Sequence, residues 1–227
     1  ITTYFGYDKV LPMNTGAEAV ETAIKICRKW GYEKKGIPEN QAKILVFDQN
    51  FHGRTTTIIS FSTEETSKKN FGPYPSGFEV VEYNNIEAIT KAIAHEHVAG
   101  ILIEPIQGEA GVNVPDEGYL KEVEKLCKQH NVLFIDDEIQ TGIGRTGKML
   151  AADYEGVRPD LLILGKALSG GAYPVSAVLA DDEVMEVITP GTHGSTFGGN
   201  PLAMSVGNAV LDQILKKGFL SKLKKTS

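Results

Sequence analysis

The segment Pro159-Asp160-Leu161-Leu162-Ile163-Leu164-Gly165-Lys166 contains the most informative apolar run of the chain. Its four consecutive large aliphatic residues, bounded by a Pro-Asp pair and a glycine, are typical of a buried strand in a parallel sheet. Open α/β sheets bind their ligands beyond the carboxyl ends of such strands. Lys166 lies at that end, so we expect its amine to be partly desolvated, with a lowered pKa that suits Schiff-base chemistry. The alternative is a lysine that merely extends from a strand end into solvent.

Hydrophobic patterns on both sides of this strand alternate between strand and helix, as in βαβ units. Predicted strands cover residues 43–48, 98–104, 132–136, 161–164 and 175–180. Predicted helices cover residues 15–30, 86–97, 119–130 and 201–217. Because the chain has no internal repeat and no low-complexity linker, the pattern predicts one continuous α/β domain over residues 1–227. Its central sheet is expected to be mostly parallel and flanked by helices.

Composition and charge disfavour several classes of partner. The chain has 227 residues, of which 41% are hydrophobic and 23% charged, as in ordinary globular proteins. Its 23 basic and 29 acidic residues give a net charge of −6 without a basic stripe, so neither nucleic acid nor an anionic membrane is an expected partner. The longest apolar stretches, such as residues 98–103, are too short to span a bilayer.

Cysteine and histidine usage indicates the compartment and argues against a metal. Cys27 and Cys127 each occupy an apolar position of a predicted helix, so we expect buried free thiols in a reducing intracellular compartment. The cytoplasm is favoured, with the mitochondrial matrix as the alternative. Without a Cys-x-x-Cys pair, and with scattered histidines, no metal site is predicted. The absence of an initiator methionine indicates a trimmed start or an interior piece of a longer protein.

Residues 142–148 contain a glycine pattern found in nucleotide-binding loops. They match G-x-G-x-x-G and the first seven positions of a P-loop. A P-loop, however, needs Ser or Thr after its lysine to hold Mg²⁺, and this chain has Met149 there. The acidic strand also precedes the glycines, and residues 137–141 separate the loop from that strand. Nucleotide binding by Gly142–Lys148 is therefore only the alternative from a different class of function.

Asp137 follows the apolar run of residues 132–135 in the way that Lys166 follows its own strand. One such acid is ordinarily explained as a helix cap. Two opposite charges at neighbouring strand tips are harder to explain in that way, since strands lie about 4.8 Å apart and near tips are separated by roughly an aromatic ring plus two contacts. Pyridoxal phosphate (PLP) needs a carboxylate at its ring nitrogen and a lysine at the opposite edge. The pair therefore predicts a PLP site.

Donors for a phosphate and a face for the ring are also present. Thr15-Gly16-Ala17-Glu18 begins a predicted helix, where the glycine allows an anion close to the amides. Thr15 with Glu18 also forms a capping box, and the two roles can coexist. Gly194-Ser195-Thr196 offers further hydroxyl and amide donors. Phe51-His52-Gly53 follows a strand, which would place Phe51 over the ring, although a buried phenylalanine is more often part of the core.

Six motifs occur together and in order: Asn14-Thr15-Gly16-Ala17-Glu18-Ala19, Phe51-His52-Gly53-Arg54, Glu104-Pro105-Ile106-Gln107-Gly108-Glu109, Asp137-Glu138-Ile139-Gln140-Thr141-Gly142, Gly165-Lys166-Ala167-Leu168-Ser169 and Gly194-Ser195-Thr196-Phe197-Gly198-Gly199-Asn200. With them the chain resembles the class-III (ω-amino acid) aminotransferases of PLP fold type I. Residues 145–148, 157–160 and 166–178 resemble most the members of that family that take ornithine. The resemblance covers essentially the whole chain.

The resemblance implies roles at the cofactor ring. Lys166 would form the Schiff base with PLP and then carry the proton. Asp137 would pair with the ring nitrogen. Phe51 would stack on the ring, and Gln140 would contact its phenolic oxygen.

The resemblance also implies how the phosphate is held. Gly16 and Ala17 would bind it through their backbone amides. Ser195 and Thr196 would reach the phosphate of a neighbouring subunit, so the expected assembly is a homodimer with shared active sites.

Two further residues are implied to contact the substrate. Arg54 would bind a carboxylate, and Glu109 would pair with a second carboxylate-binding arginine when the substrate is ornithine. That arginine belongs to the family's C-terminal small domain, for which this chain has no match, and the family's N-terminal segment is missing too. Residues 1–227 are thus expected to be the large, PLP-binding domain of a longer enzyme.

The expected reaction transfers the δ-amino group of ornithine to 2-oxoglutarate, which gives glutamate 5-semialdehyde and glutamate. N-acetylornithine and 4-aminobutyrate are the alternative amine donors. A domain that keeps the fold without activity is disfavoured, because Lys166 and Asp137 are both present.

Overall fold

A computed structural model describes residues 1–226; Ser227, the last residue of the predicted domain, lies outside the described residues. Within them, one sheet contains seven strands: β1 (Lys9–Met13), β2 (Lys43–Phe47), β3 (Phe78–Val81), β4 (Val98–Ile103), β5 (Leu133–Asp137), β6 (Leu161–Leu164) and β7 (Ser176–Ala180). Their order across the sheet is β1-β7-β6-β5-β4-β2-β3.

The sheet is mostly parallel, as predicted. Strands β3, β2, β4, β5 and β6 run parallel to one another. Strand β7 is antiparallel to both β6 and β1. Every residue of β4, β5, β6 and β7 is buried, which explains why these strands have nearly continuous apolar sequences.

Helices cover both faces of the sheet: α1 (Thr2–Phe5), α2 (Gly16–Glu33), α3 (Thr56–Ser60), α4 (Glu65–Lys68), α5 (Ile86–Ile93), α6 (Tyr119–His130), α7 (Asp182–Met185), α8 (Pro201–Ile214) and α9 (Phe219–Thr226). Helix α2 packs in the core on one face, and α5, α6 and α8 pack in the core on the other. The α/β fold with flanking helices is therefore confirmed. None of the helices within residues 1–226 is long and apolar enough to cross a membrane.

Two strands were not predicted, and both lie at the edges of the sheet. Strands β1 and β3 are only partly buried, and their short sequences are interrupted by Pro12 and Glu79 respectively. Pro12 in β1 is tolerated because an edge strand does not need every backbone amide. Two helices are also shorter than predicted, since α5 ends at Ile93 and α8 at Ile214.

Cys27 and Cys127 are free and buried, as expected, and they lie in the cores on opposite faces of the sheet. Cys27 packs onto β4 at Gly100, where an added Cβ would lie 2.5 Å from its sulfur and 3.3 Å from the Leu133 carbonyl oxygen. The absence of a side chain at Gly100 therefore lets α2 approach the sheet closely.

We expect Gly100→Ala to lower the free energy of unfolding by about 1–3 kcal/mol, because the new methyl group overlaps the Cys27 sulfur. Adding Cys27→Ala should restore part of the loss. Thermal denaturation measures both. The matched control is Gly207→Ala in α8, where an added Cβ meets nothing within 4 Å. Equal melting temperatures for the Gly100 and Gly207 variants would exclude this packing constraint.

Candidate active site

The carboxyl ends of β5 and β6 bring together the two predicted charges. Asp137 ends β5, which pairs with β6, and Lys166 follows β6 by two residues. Both side chains line one cavity of about 200 Å³. The other lining residues come from four different segments of the chain: Gly16, Ala17, Phe51, His52, Gly53, Glu104, Ile139 and Gln140.

Lys166 has a backbone conformation that lysine rarely adopts. Its φ is +41°, in the left-handed region, and it begins a 3₁₀ helix directly after Gly165. Such conformations cluster at functional sites, where the surrounding structure holds them. The side chain is exposed at the cavity, which corrects the expectation that it is partly desolvated. The backbone turn after the buried strand directs the amine away from the core.

Asp137 is almost fully buried and is held from two sides. Its Oδ1 accepts the Ile139 amide at 3.1 Å, and its Oδ2 lies 2.6 Å from Nδ1 of buried His52. Burial alone lowers the pKa of His52, but the hydrogen bond and charge of Asp137, with a smaller effect from Glu104, raise it above its ordinary value. The contact with Asp137 therefore opposes the effect of burial on the His52 ring, and the same contact holds the Asp137 carboxylate in place.

Glu104 follows β4 as Asp137 ends β5, and it is the second buried acid of the cavity. Its Oε2 accepts the Phe51 amide at 2.9 Å. Its pKa is raised to about 7, mainly by burial; the charge of His52 opposes this rise, and the charge of Asp137 adds to it. Glu104 is thus partly protonated near neutral pH, which limits the negative charge around Asp137.

Helix α2 directs its N-terminus at the same cavity. A capping box is present, since Thr15 Oγ1 accepts the Glu18 amide at 3.2 Å and the Glu18 carboxylate accepts the Thr15 amide at 2.8 Å. Gly16 and Ala17 line the cavity, and their backbone amides have no acceptor among the hydrogen bonds of the described residues. Together with the helix dipole, these amides suit an anion.

Phe51 and Arg54 lie at the border of two cavities. Phe51 lines the cavity of Lys166, and the Arg54 guanidinium carbon lies 5.7 Å from the centre of its ring. Arg54 is exposed and lines an adjoining cavity of about 380 Å³, which shares Phe51, His52 and Gly53 with the first. The arginine is therefore placed beside the cavity of Lys166, where it can attract a carboxylate.

Gln140 lines the cavity of Lys166 and contacts Glu109, which lies outside the lining. Gln140 Nε2 donates to Glu109 Oε1 at 2.8 Å. Within the described residues, the buried Gln140 Oε1 has no hydrogen-bond partner. A Cβ at Gly108 would lie 1.7 Å from that oxygen, so the glycine makes room for the amide. An unpaired buried polar atom on a cavity residue is consistent with a polar ligand.

Ser195 and Thr196 do not line the cavity of Lys166. Ser195 instead contacts the start of α2: its Oγ donates to Glu18 Oε1 at 3.2 Å and accepts from Asn14 Nδ2 at 3.0 Å. Thr196 is exposed to solvent. Their placement leaves both residues outside the site of their own chain.

The glycine pattern of residues 142–148 forms turns that pack against the C-terminal helices. A Cβ at Gly144 would lie 2.7 Å from Ile214 and 3.0 Å from Leu220. The next helical segment is the three-residue turn Ala152–Tyr154, rather than the long helix that a phosphate-binding loop needs. Packing explains Gly144, and a Cβ at Gly142 would lie 2.7 Å from the Glu138 carbonyl oxygen. The structure gives no support to nucleotide binding by this loop.

Three consecutive acids at the end of β5 have different surroundings. Asp137 faces the cavity, and Glu138 accepts the Ala152 amide at 2.8 Å and a hydrogen bond from Thr141. Strand alternation directs Asp136 to the opposite face of the sheet. Asp136 is fully buried, and both of its oxygens lack a hydrogen-bond partner within the described residues. Burial, with the charges of Glu138 and Asp137, raises its pKa well above the ordinary 3.8.

We expect Asp136→Asn to stabilise the protein increasingly as the pH rises. The folded chain holds the Asp136 proton more tightly than the unfolded chain, so raising the pH above 3.8 favours unfolding, and asparagine escapes this effect. The difference in melting temperature between the variant and the parent should increase by at least about 2–4 °C from about pH 5 to about pH 8. In a chain of this size, such a change corresponds to roughly 1 kcal/mol in the free energy of unfolding.

The matched control for that variant is Asp212→Asn, which changes an exposed carboxylate in α8. Its melting temperature should follow the parent at every pH. A pH-independent difference between Asp136→Asn and the parent would show that Asp136 is not a buried, protonated acid.

The donor set of the cavity fits pyridoxal phosphate. The exposed amine of Lys166 is available to an aldehyde, and the buried Asp137–His52 pair offers a stabilised negative charge. The amides at the start of α2 suit a phosphate, and Phe51 offers an aromatic face. One cavity thus contains a partner for each functional group of this cofactor.

The profile of the class-III aminotransferases matches residues 1–227, and the chain belongs to this family. It is 57% identical to the ornithine aminotransferase of Oceanobacillus iheyensis over 95% of this chain and 54% of that protein. The structure of the Toxoplasma gondii ornithine aminotransferase matches with a TM-score of 0.95 and 52% identity, over 96% of this chain and 52% of that one.

A similar match is found with the acetylornithine aminotransferase of Elizabethkingia anophelis, at a TM-score of 0.83 and 53% identity, over 96% of this chain and 51% of that one. The chain spans about half the length of the curated relatives it matches. The activities of these full-length relatives therefore involve parts of the protein that this chain does not cover.

His52 and Glu104 lie in two of the six motifs, but the sequence did not predict either as a residue of the site. The signal that predicted Asp137, an acid at the end of a buried apolar run, was also present at Glu104. His52 carried none, because its contact with Asp137 joins residues 85 positions apart.

Proposed function

We propose that residues 1–227 are the large, cofactor-binding domain of a PLP-dependent aminotransferase that transfers the δ-amino group of ornithine to 2-oxoglutarate. The products are glutamate 5-semialdehyde and glutamate. The observation that carries the proposal is that Lys166 and Asp137 share one cavity with the start of α2. Family membership and 57% identity to an ornithine aminotransferase support it.

When bound, PLP supplies an aldehyde for the substrate amine and a ring that accepts electrons. Lys166 would hold the cofactor through its Nζ. The same Nζ would be the base that takes the proton from the δ-carbon of the substrate. Because Lys166 is exposed and begins a turn, its side chain could move between these two tasks without disturbing the core.

Asp137 would hold the ring nitrogen, and His52 would keep the Asp137 carboxylate oriented. The amides of Gly16 and Ala17 would bind the phosphate at the start of α2. Phe51 would cover the ring, and Gln140 would contact the phenolic oxygen. Four segments of the chain would thus contribute to holding the cofactor.

Arg54 binds a substrate carboxylate beside Phe51, a position supported by the contact between the two side chains. Glu109 pairs with a second carboxylate-binding arginine when ornithine is bound. In the free chain, the hydrogen bond from Gln140 keeps Glu109 beside a residue that lines the cavity. The substrate specificity of this domain therefore depends on two residues at the border of the cavity.

The proposed assembly is a homodimer in which Ser195 and Thr196 of one copy complete the phosphate site of the other. Its support is that Thr196 is exposed and that large apolar side chains lie on the surface. These exposed residues are Phe71, Val112, Val114, Phe197 and Leu202. The proposed compartment is reducing, the cytoplasm or the mitochondrial matrix, in keeping with two free thiols.

Amine-donor profiling of the purified protein tests the substrate. We expect kcat/KM for ornithine to exceed that for N-acetylornithine and 4-aminobutyrate by at least about 10-fold, the discrimination that one good polar interaction with the substrate provides. N-acetylornithine is the main competitor, because the chain is also 53% identical to an acetylornithine aminotransferase. A preference for either competitor would overturn ornithine as the donor and leave the aminotransferase class in place.

A further inference from the structure

Residues 189–200, here called the 189–200 segment, pass over the outer side of α2 and are tied to it by His193. The His193 ring lies between two α2 side chains one turn apart. Its Nε2 is 2.9 Å from Thr22 Oγ1, and its Nδ1 is 2.9 Å from Lys25 Nζ.

A single tautomer satisfies every group in this chain of contacts. The Lys25 ammonium can only donate, so Nδ1 of His193 accepts and Nε2–H donates to Thr22. Thr22 Oγ1 then donates to the Glu18 carbonyl oxygen at 2.7 Å. Burial and the charge of Lys25 both lower the pKa of His193, which agrees with a neutral ring.

Ser195 is a second anchor of the same segment. Its Oγ bonds to Asn14 and Glu18, and it accepts the Gly198 amide at 3.2 Å. At Gly198 the segment also lies close to β1, since an added Cβ would be 2.4 Å from the Pro12 carbonyl oxygen. The segment is thus fixed at two points against α2 and the adjoining strand.

The residues directly after these anchors face away from the molecule. Thr196 is exposed, and Phe197 is 67% exposed. The helix that carries the anchors also supplies Gly16 and Ala17 to the cavity of Lys166. Helix α2 therefore fixes both the phosphate-binding amides of its own copy and the segment that carries Thr196.

We propose that His193 is a positioning residue that fixes the 189–200 segment on α2, so that Thr196 is presented to the phosphate site of a second copy. This inference rests on the proposed function and dimer. His193 touches neither cofactor nor substrate in this role. It acts by limiting the positions that Thr196 can take.

The first test measures the segment itself in the cofactor-free protein. Hydrogen exchange of the 189–200 segment should become about 10-fold faster in His193→Ala, because the side-chain contacts that restrain it are lost. Exchange in β4 should stay unchanged and serves as the internal reference. Unchanged exchange in the 189–200 segment would overturn the proposal.

The second test measures the dissociation constant of PLP by titration of the cofactor-free protein. His193→Ala should weaken PLP binding by about 10-fold, the effect of losing one charge-assisted hydrogen bond. The value of kcat at saturating PLP should remain within about two-fold of the parent, because no reacting group is removed. His193→Gln should restore PLP affinity, since its amide can donate to Thr22 and accept from Lys25.

His95→Ala, which removes an exposed histidine, is the matched control and should bind PLP as the parent does. Where His193→Ala fails to fold, Thr22→Val removes the ring's hydrogen-bond partner at constant volume and should weaken PLP binding by about 3- to 10-fold. Parent-like affinity in every soluble variant of this tether would overturn the proposal. A parent protein that binds no PLP would instead refute the proposed function, and the positioning role with it.

Discussion

Lys166→Ala is expected to lower the rate of transamination by roughly 10³- to 10⁴-fold, which is the largest effect of any single change in this chain. The variant loses both the amine that holds the cofactor and the base that moves the proton. Stopped-flow measurement of the half-reaction with ornithine gives the rate of the chemical step directly.

The protein should remain folded after this change. Lys166 is exposed, so its removal creates no cavity. Its unusual φ of +41° is already present with lysine, and alanine adds no branching at Cβ. Lys121→Ala, at an exposed position of α6, is the matched control and should leave the rate unchanged. A Lys166→Ala rate above about a tenth of the parent rate would rule out the lysine as the proton carrier.

Asp137→Asn should retain PLP but lose roughly 10²- to 10³-fold in kcat, the usual effect of removing one preorganised electrostatic group. Asparagine keeps the shape of the side chain but carries no charge. It would leave the ring nitrogen without an anion, and it would also leave His52 facing a neutral amide. Measuring kcat together with the dissociation constant of PLP separates the chemical role from the binding role.

The control for Asp137→Asn is Asp160→Asn at the opposite ends of the same two strands. Asp160 accepts the Phe134 amide at 2.7 Å, so it is also a partly buried, hydrogen-bonded acid, but it lies outside the cavity. Its variant is expected to lose stability while keeping kcat within about two-fold, because no group near the cofactor changes. Near-normal turnover in Asp137→Asn would refute the role assigned to Asp137.

The sequence predicted the parts of the fold that are buried on both faces. Strand β6 and helix α6 have the predicted bounds, because a continuous apolar run and a regular helical spacing identify them. The juxtaposition of Lys166 and Asp137 also followed, since each directly follows such a run and β5 pairs with β6. Local pattern is sufficient where burial is complete.

The partly exposed elements and the contacts between distant segments could not be predicted in this way. Strands β1 and β3 lie at the edges of the sheet and are only partly buried, and Pro12 and Glu79 interrupt their short apolar sequences. The pairing of His52 with Asp137 depends on the strand order, which places the loop after β2 near the end of β5 across β4. No periodicity in one segment contains that information.

The exposure of Lys166 shows a related limit. The aliphatic run correctly predicts that β6 is buried, but it does not report the direction of the chain beyond Gly165. There the backbone enters the left-handed region and the side chain meets an open cavity. The desolvation of this amine depends on what fills the cavity. The apolar run of one strand contains no information about the contents of the cavity.

Borohydride reduction of the purified protein with bound PLP, followed by peptide mapping, tests the central role of Lys166 most directly. Reduction converts the link between the cofactor and its lysine into a stable pyridoxyl-lysine, which mass spectrometry locates. We predict a single label, on Lys166. An absent label, or a label on any other lysine, would contradict the proposed site.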